Sequence, residues 1–262
     1  MAETLIMLHG FGGTRRAWDR VSAMLDPERY LPLALDLPGH GEAHDTGDPI
    51  TFESCVSSVL AAAPARFALC GYSLGGRVAL NVALAEPERI SRLVLVSCSP
   101  GIEDDAERAE RRASDERLAV ELESIPFEQF IERWRAQPLF AGEPADVGER
   151  AREDHRRNDP LALAKAMRGI GTGEMAPLWS RLRELAMPVT VLAGERDRKF
   201  RELGARMAER IADARLVVVS GGHGLPLESP AELARDLSAD ERAEVGNTTT
   251  APATNKPCNS QN

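Results

Sequence analysis

The sequence predicts an α/β fold, a mostly parallel sheet with helices on both faces and an all-helical segment inserted between two strands. Three observations carry that prediction. Six short β-rich apolar runs recur along the chain, amphipathic stretches separate them, and glycine-bearing turns follow several of the runs. A strand covered on both faces must be apolar at successive residues, so its run reads as continuous rather than alternating. The stretches between runs are long enough for helical crossovers, the connection that parallel pairing needs.

In chain order the strands are placed at residues 5–8, 30–35, 67–70, 93–96, 189–193 and 216–219. A helix over 75–85 follows the third run directly. Between residue 99 and about residue 187 the strand signal is replaced by polar helical segments at 105–123, 127–135 and 161–168. An insertion of that kind is expected to form a lid over the carboxyl edge of the sheet, where ligands of α/β folds bind. The organisation is therefore a core of residues 1–99 and 188–240, a helical lid of residues 100–187 and a tail of residues 241–262. From Gly246 onward the tail has no large apolar residue and is expected to be disordered.

Composition narrows the function classes. With 262 residues and 43% hydrophobic content the chain can bury one large core, and no apolar run approaches the ~20 residues of a membrane span. A net charge of -9 argues against nucleic acid, which demands a concentrated basic surface. The first ten residues carry no cationic leader, so a cytoplasmic location is expected. Cys55, Cys70, Cys98 and Cys258 form no CxxC pair and are expected to be reduced thiols; the five histidines are too scattered for a zinc signature. Positive charge is almost entirely arginine, with Lys165, Lys199 and Lys256 the exceptions. Arginine grips carboxylates in bidentate fashion, so an acidic protein can still hold an acidic substrate in a local arginine pocket.

The chemistry lies in the turns. Gly71-Tyr72-Ser73-Leu74-Gly75 sits between a strand and a helix, the context of a nucleophile elbow that lifts a serine hydroxyl clear of the sheet. A serine hydroxyl needs a base, and His223, after the last run, is the candidate. Asp197, after the penultimate run, is placed to orient His223 and keeps the chain order Ser…Asp…His. Glu195 in the same turn is the other carboxylate available for that role. His9-Gly10-Phe11-Gly12-Gly13 follows the first run, so the N–H of Phe11 can join that of Leu74 in an oxyanion hole. His9 reads as a brace for that loop, His40 in Asp36-Leu37-Pro38-Gly39-His40-Gly41 as surface or structural, and His44 and His155 as residues of polar loop or lid.

With these motifs in this order the sequence resembles the α/β-hydrolase superfamily, whose fold places a helical lid after the sixth-strand position. Gly71 to Arg77, Arg108-Ala109-Glu110-Arg111 with Ser114-Asp115, Trp134 with Gln137-Pro138-Leu139-Phe140, Arg156-Arg157-Asn158 and Gly194 to Phe200 resemble more closely the 2-succinyl-6-hydroxy-2,4-cyclohexadiene-1-carboxylate synthases of menaquinone biosynthesis. That resemblance implies a carbon–oxygen lyase that eliminates pyruvate from 2-succinyl-5-enolpyruvyl-6-hydroxy-3-cyclohexene-1-carboxylate. It implies a triad acting as base, a backbone oxyanion hole and no cofactor. It further implies substrate-carboxylate contacts for Arg77, Arg111 and Arg156, and pocket-lining roles for Tyr72 and Trp134. Arg152 and Arg157 are near enough to stand in for Arg156, and Arg111 lies in a dense mixed-charge helix whose composition alone reads as surface. The partner implied is a small tricarboxylate, with neither nucleic acid nor membrane involved, for a monomer or small homo-oligomer. The other readings are a serine carboxylesterase or C–C hydrolase of the same fold, and a non-catalytic small-molecule receptor.

Overall fold

The computed structural model describes residues 2–45 and 49–239. The expected disordered tail at 241–262, and Cys258 with it, lies outside the described residues. Six strands form one fully parallel sheet: β1 (Glu3–Leu8), β2 (Tyr30–Leu35), β3 (Phe67–Tyr72), β4 (Ile90–Val96), β5 (Val189–Gly194) and β6 (Ala214–Val219). All six predicted strands are present. The helices are α1 (Asp19–Ser22), α2 (Phe52–Ala62), α3 (Leu74–Ala85), α4 (Asp105–Ser124), α5 (Phe127–Arg135), α6 (Ala145–His155), α7 (Pro160–Ile170), α8 (Arg198–Ala208), α9 (Leu225–Glu228) and α10 (Pro230–Ser238). Among the described residues no helix is long and apolar enough to cross a membrane.

Burial explains the continuous apolar runs. In β1, Ile6 and Leu8 enter one core layer with Cys55, Val59, Val78 and Met207 from α2, α3 and α8, while Leu5 and Met7 enter the other with Trp18, Val21, Leu233 and Leu237. Each β1 side chain in this set is fully buried, so neither face tolerates a polar residue. Cys55, Cys70 and Cys98 are buried free thiols, and burial pushes those of Cys55 and Cys98 up to about 12, so they act as small apolar side chains.

The strand order is β2-β1-β3-β4-β5-β6. After β1 the chain crosses to β2 on one side, and after β3 it crosses to β4 on the other. The loops leaving β1 and β3 therefore diverge at the carboxyl edge and open a crevice between them, the usual ligand position in such sheets.

The lid comprises α4 to α7 and leaves the sheet after β4, the fourth strand of this chain. Ala119 and Leu122 of α4 pack on Phe130 of α5 and on Leu163, Ala164 and Met167 of α7. Helix α6 has no counterpart in the sequence reading. Its buried stripe consists of small residues, Val147, Gly148 and Ala151, among charged ones, so apolar periodicity does not reveal it.

Short hydrogen bonds tie this lid to the loop after β1 and to the turn after β2. Thr14 donates its N–H and its hydroxyl to Asp154 at 2.8 and 2.5 Å. Asn158 donates to Gly12 O at 2.8 Å and accepts from Gly41 N–H at 2.9 Å. His9 is the brace expected: Leu37 N–H donates to its Nε2 at 3.0 Å, which leaves the Nδ1 proton for Gly10 O at 2.8 Å. His40 is structural and fully buried rather than on the surface, 5.0 Å from the His9 ring. His155 is a buried residue too, donating Nδ1–H to Ala151 O at 2.7 Å.

Burial holds all three of these histidines neutral and pulls His155 from an ordinary 6.5 to about 4. Since the folded-state value is depressed, the unfolded chain takes up protons first as pH falls, and stability drains away between pH 6.5 and about 4. His155 alone accounts for roughly 2–3 kcal/mol of that loss by pH 4.5, at about 1.36 kcal/mol per pKa unit. Urea denaturation at pH 7.5 and 4.5 checks this; the difference between the two pH values shrinks by about that amount in His155→Gln.

Candidate active site

The nucleophile elbow forms where expected. Ser73 joins β3 to α3 at φ 52° and ψ -109°, a left-handed conformation that costs a non-glycine residue roughly 1–3 kcal/mol. Glycine at two positions makes this possible. A Cβ on Gly75 would lie 2.3 Å from Leu8 O, and one on Gly71 would lie 2.3 Å from Gly75 O. Backbone therefore rests directly on backbone, and Gly75 N–H donates to His9 O at 3.0 Å while Ser73 N–H donates to Val96 O at 2.9 Å.

The carboxyl ends of β5 and β6 bring the other two groups together. Glu195 N–H donates to Val219 O and Arg196 N–H to Gly221 O, at 2.8 and 2.9 Å, so the two turns move as one unit. Asp197 Oδ2 accepts from His223 Nδ1–H at 2.7 Å, and His223 Nε2 lies 3.2 Å from Ser73 Oγ. Asp197 and His223 are both buried, whereas Glu195 points to solvent. The carboxylate that meets His223 is thus Asp197. With Nδ1 protonated toward Asp197, Nε2 is free to accept the serine proton.

Phe11 and Leu74 sit at the crevice, and the backbone N–H of neither donates to another group among the described residues. Leu74 is the first residue of α3, where no intrahelical acceptor exists. Both donors are therefore without a protein acceptor among the described residues.

A cleft opens at Ser73 and His223. Its walls include Tyr72 and Trp134, together with Phe11, Phe140, Leu139 and Leu227. The Tyr72 ring lies 5.4 Å from His223, and Trp134 packs 5.0 Å from Phe11. The three arginines assigned to the substrate do not line this cleft. Arg77 is buried, donates Nη1–H to Ile170 O at 2.9 Å and is drawn down to about 10 by burial and by Arg111. Arg111 pairs with buried Asp115 at 2.8 Å, and Arg156 pairs with Glu128 and Glu149 at 2.9 and 3.3 Å. The neighbours of Arg156 are likewise engaged, Arg152 with Glu132 and Arg157 with Asp154. The physical reason is local: nearby acidic residues on the same or a facing helix satisfy Arg111 and Arg156 where they stand, and the carbonyl of Ile170 at the end of α7 does so for Arg77.

Four polar residues that sequence reasoning missed line the cleft instead: Arg135, Glu143, Asp154 and His155. Arg135 ends α5 beside Trp134, and adjacency to that motif residue is the only signal that marks it among so many arginines. His155 is visible only once α6 is known to be a helix whose last turn enters the crevice.

The Alpha/beta hydrolase family model matches residues 5–236. A "Putative 2-succinyl-6-hydroxy-2,4-cyclohexadiene-1-carboxylate synthase" of Bacillus subtilis (strain 168) is 34% identical over 239 residues, 87% of this chain and 86% of that protein. The 2-succinyl-6-hydroxy-2,4-cyclohexadiene-1-carboxylate synthase of Salmonella agona (strain SL483) is 33% identical over 242 residues, 90% of this chain and 93% of its own length. Among solved structures, MenH from S. aureus superposes with a TM-score of 0.85 at 33% identity, covering 90% of this chain and 91% of that one. Likeness of this extent takes in the lid as well as the sheet, and the chain belongs to the 2-succinyl-6-hydroxy-2,4-cyclohexadiene-1-carboxylate synthase family of the α/β hydrolases.

Proposed function

We propose that this protein is a carbon–oxygen lyase that eliminates pyruvate from 2-succinyl-5-enolpyruvyl-6-hydroxy-3-cyclohexene-1-carboxylate, giving 2-succinyl-6-hydroxy-2,4-cyclohexadiene-1-carboxylate. The observation that carries the reading is the connected relay from Asp197 through His223 to Ser73, at 2.7 and 3.2 Å, beside two unused backbone donors in a chain of this family.

In this reading His223 Nε2 takes the proton of Ser73 Oγ as Ser73 Oγ takes the ring proton at C2, next to the succinyl carbonyl. The electron pair left at C2 is delocalised onto that carbonyl oxygen, where Phe11 and Leu74 N–H groups donate to it. As the pair returns it forms the C2–C3 double bond, the former C3–C4 double bond moves to C4–C5, and the C5–O bond breaks. Enolpyruvate departs with that bonding pair, collects the proton held on His223 and tautomerises to pyruvate. Asp197 stabilises the imidazolium in between. Every atom and charge is accounted for by substrate and side chains. Ser73 acts as a base here rather than forming an acyl-enzyme.

The arginines enter at the margin of the site. Arg77, Arg111 and Arg156 contact substrate carboxylates by exchanging Ile170 O, Asp115 and the Glu128–Glu149 pair for them. Exposed ion pairs such as those of Arg156 with Glu128 and Glu149 are worth only about 0–1 kcal/mol, so the exchange is energetically open there, whereas Arg111 must leave the buried Asp115 carboxylate. The protein works in the cytoplasm on a small tricarboxylate, as a monomer or small homo-oligomer.

Pyruvate release coupled to lactate dehydrogenase tests the relay. Ser73→Ala is expected to lower kcat by at least about 100-fold, the scale of general-base loss; turnover near wild type would remove Ser73 from the chemistry. Hydrolysis of short p-nitrophenyl esters without pyruvate release would assign the relay to an esterase. For Arg77→Ala the expected change is a KM raised about 10-fold, corresponding to one lost charge-assisted contact. An unchanged KM would leave Arg77 as a strap between α3 and the end of α7.

A further inference from the structure

The cleft at Ser73 contains polar groups that the relay does not use. Arg135 lines it with a side chain only 6% exposed, lying 3.9 Å from the centroid of the Phe140 ring. Its Nη2 donates to Glu143 Oε2, and its Nε and Nη1 donate to no group among the described residues. A guanidinium has five N–H donors in a planar fork, so most of this one's capacity is unspent. His155 lines the same cleft. Its Nδ1 proton goes to Ala151 O, which leaves Nε2 as an unprotonated acceptor, and that atom is buried without a partner. Trp134 adds a buried indole N–H with no partner on the same wall. Buried polar atoms are almost always hydrogen-bonded. Of the buried side-chain atoms without a partner among the described residues, the Trp134 indole N–H and His155 Nε2 are the two that belong to cleft-lining residues, where a ligand can complete them.

We propose that Arg135 and His155 form a hydroxy-carboxylate subsite, with Arg135 donating to the carboxylate and His155 Nε2 accepting from the hydroxyl. Burial supports the second half, because it keeps His155 neutral and therefore able to accept. Glu143 is the internal occupant of this subsite. Its side chain is 8% exposed, sits on Arg135 and is carried by the segment joining α5 to α6, where Gly142 has φ 78°. An incoming carboxylate takes the place of the Glu143 carboxylate on Arg135, so the guanidinium is never left buried and unpaired. The identity of the ligand rests on the function proposed above, whose substrate carries a hydroxyl and a carboxylate on adjacent ring carbons.

The test is a binding titration that needs no turnover. Purified full-length protein is titrated with 2-hydroxycyclohexane-1-carboxylate and with cyclohexanecarboxylate, following tryptophan fluorescence or ligand-observed NMR. Wild type is expected to bind the hydroxy acid about 5–10-fold more tightly than the deoxy acid, the scale of one hydrogen bond into a buried site. His155→Leu should abolish that preference while keeping affinity for the deoxy acid. Arg135→Met should weaken both acids by about 10-fold or more, as loss of a charge-assisted contact does. Glu143→Gln should tighten both several-fold, because it removes the internal competitor. A merely structural strap between Arg135 and Glu143 gives the opposite sign for Glu143→Gln, so this variant decides the matter even where Arg135→Met fails to fold. Unchanged preference in His155→Leu, or no tightening in Glu143→Gln, overturns the subsite. Failure of wild type to release pyruvate from the enolpyruvyl substrate, with the binding pattern intact, overturns the reaction and leaves the subsite standing.

Discussion

The elbow is held by backbone resting on backbone. Gly75 lies so close to Leu8 O, and Gly71 to Gly75 O, that no side chain fits at either position. That contact locks the first turn of α3 against the end of β1. Ser73 is thereby forced into a positive φ, with its hydroxyl above the sheet edge and the Leu74 N–H free. The strain persists because the surroundings over-determine it: two buried core layers fix the strands on either side, and hydrogen bonds from Ser73 and Gly75 lead into β4 and the β1 loop. Relax this packing and the serine, the oxyanion donors and the crevice lose their common origin.

Around that fixed point the remaining groups are positioned by loops clamped from two directions. The β5 and β6 turns are joined by main-chain hydrogen bonds, which hold Asp197 and His223 as a pair. On the other side the lid grips the Phe11 loop through Asp154, and through Asn158 it grips both that loop and the turn after β2. The lid therefore braces the loop that carries the Phe11 N–H. The lid, residues 100–187, also carries 13 of the chain's 29 arginines. Most of them meet a carboxylate on their own or a facing helix, which makes the lid surface a mesh of short-range pairs. Arg135 and Glu143 form one such pair inside the cleft, where low exposure makes the charges matter most.

Much of this was legible before any coordinates. The strand at residues 30–35 has the bounds read from its apolar run, the elbow lies between strand and helix as its glycines require, and Asp197 rather than Glu195 reaches His223. These features are set by local rules: periodicity, turn chemistry and chain order. Helix α6 escaped because its buried face is built of Gly, Ala and Val among charges, and His155 was hidden along with it. The rigid turn around His40 marks it as surface or structural without deciding between them, and the fold buries it against His9 and Phe11. The arginines show the limit most clearly. One turn of helix separates Arg77 from Ser73, but its guanidinium ends at Ile170 O, away from the cleft.

The one-dimensional chain thus specifies the architecture, the relay residues and their order, because apolar periodicity and glycine-dependent turns act over a few residues and need no partner to be read. Which arginine faces the reacting centre is a different kind of question. Its answer depends on competition among many nearby carboxylates and carbonyls from distant segments, each able to capture a long flexible side chain. Arg135, Glu143 and His155 converge on the cleft through the packing of α5, α6 and the segment between them against the β1 and β6 loops. That convergence is a property of three-dimensional proximity, to which sequence spacing is blind.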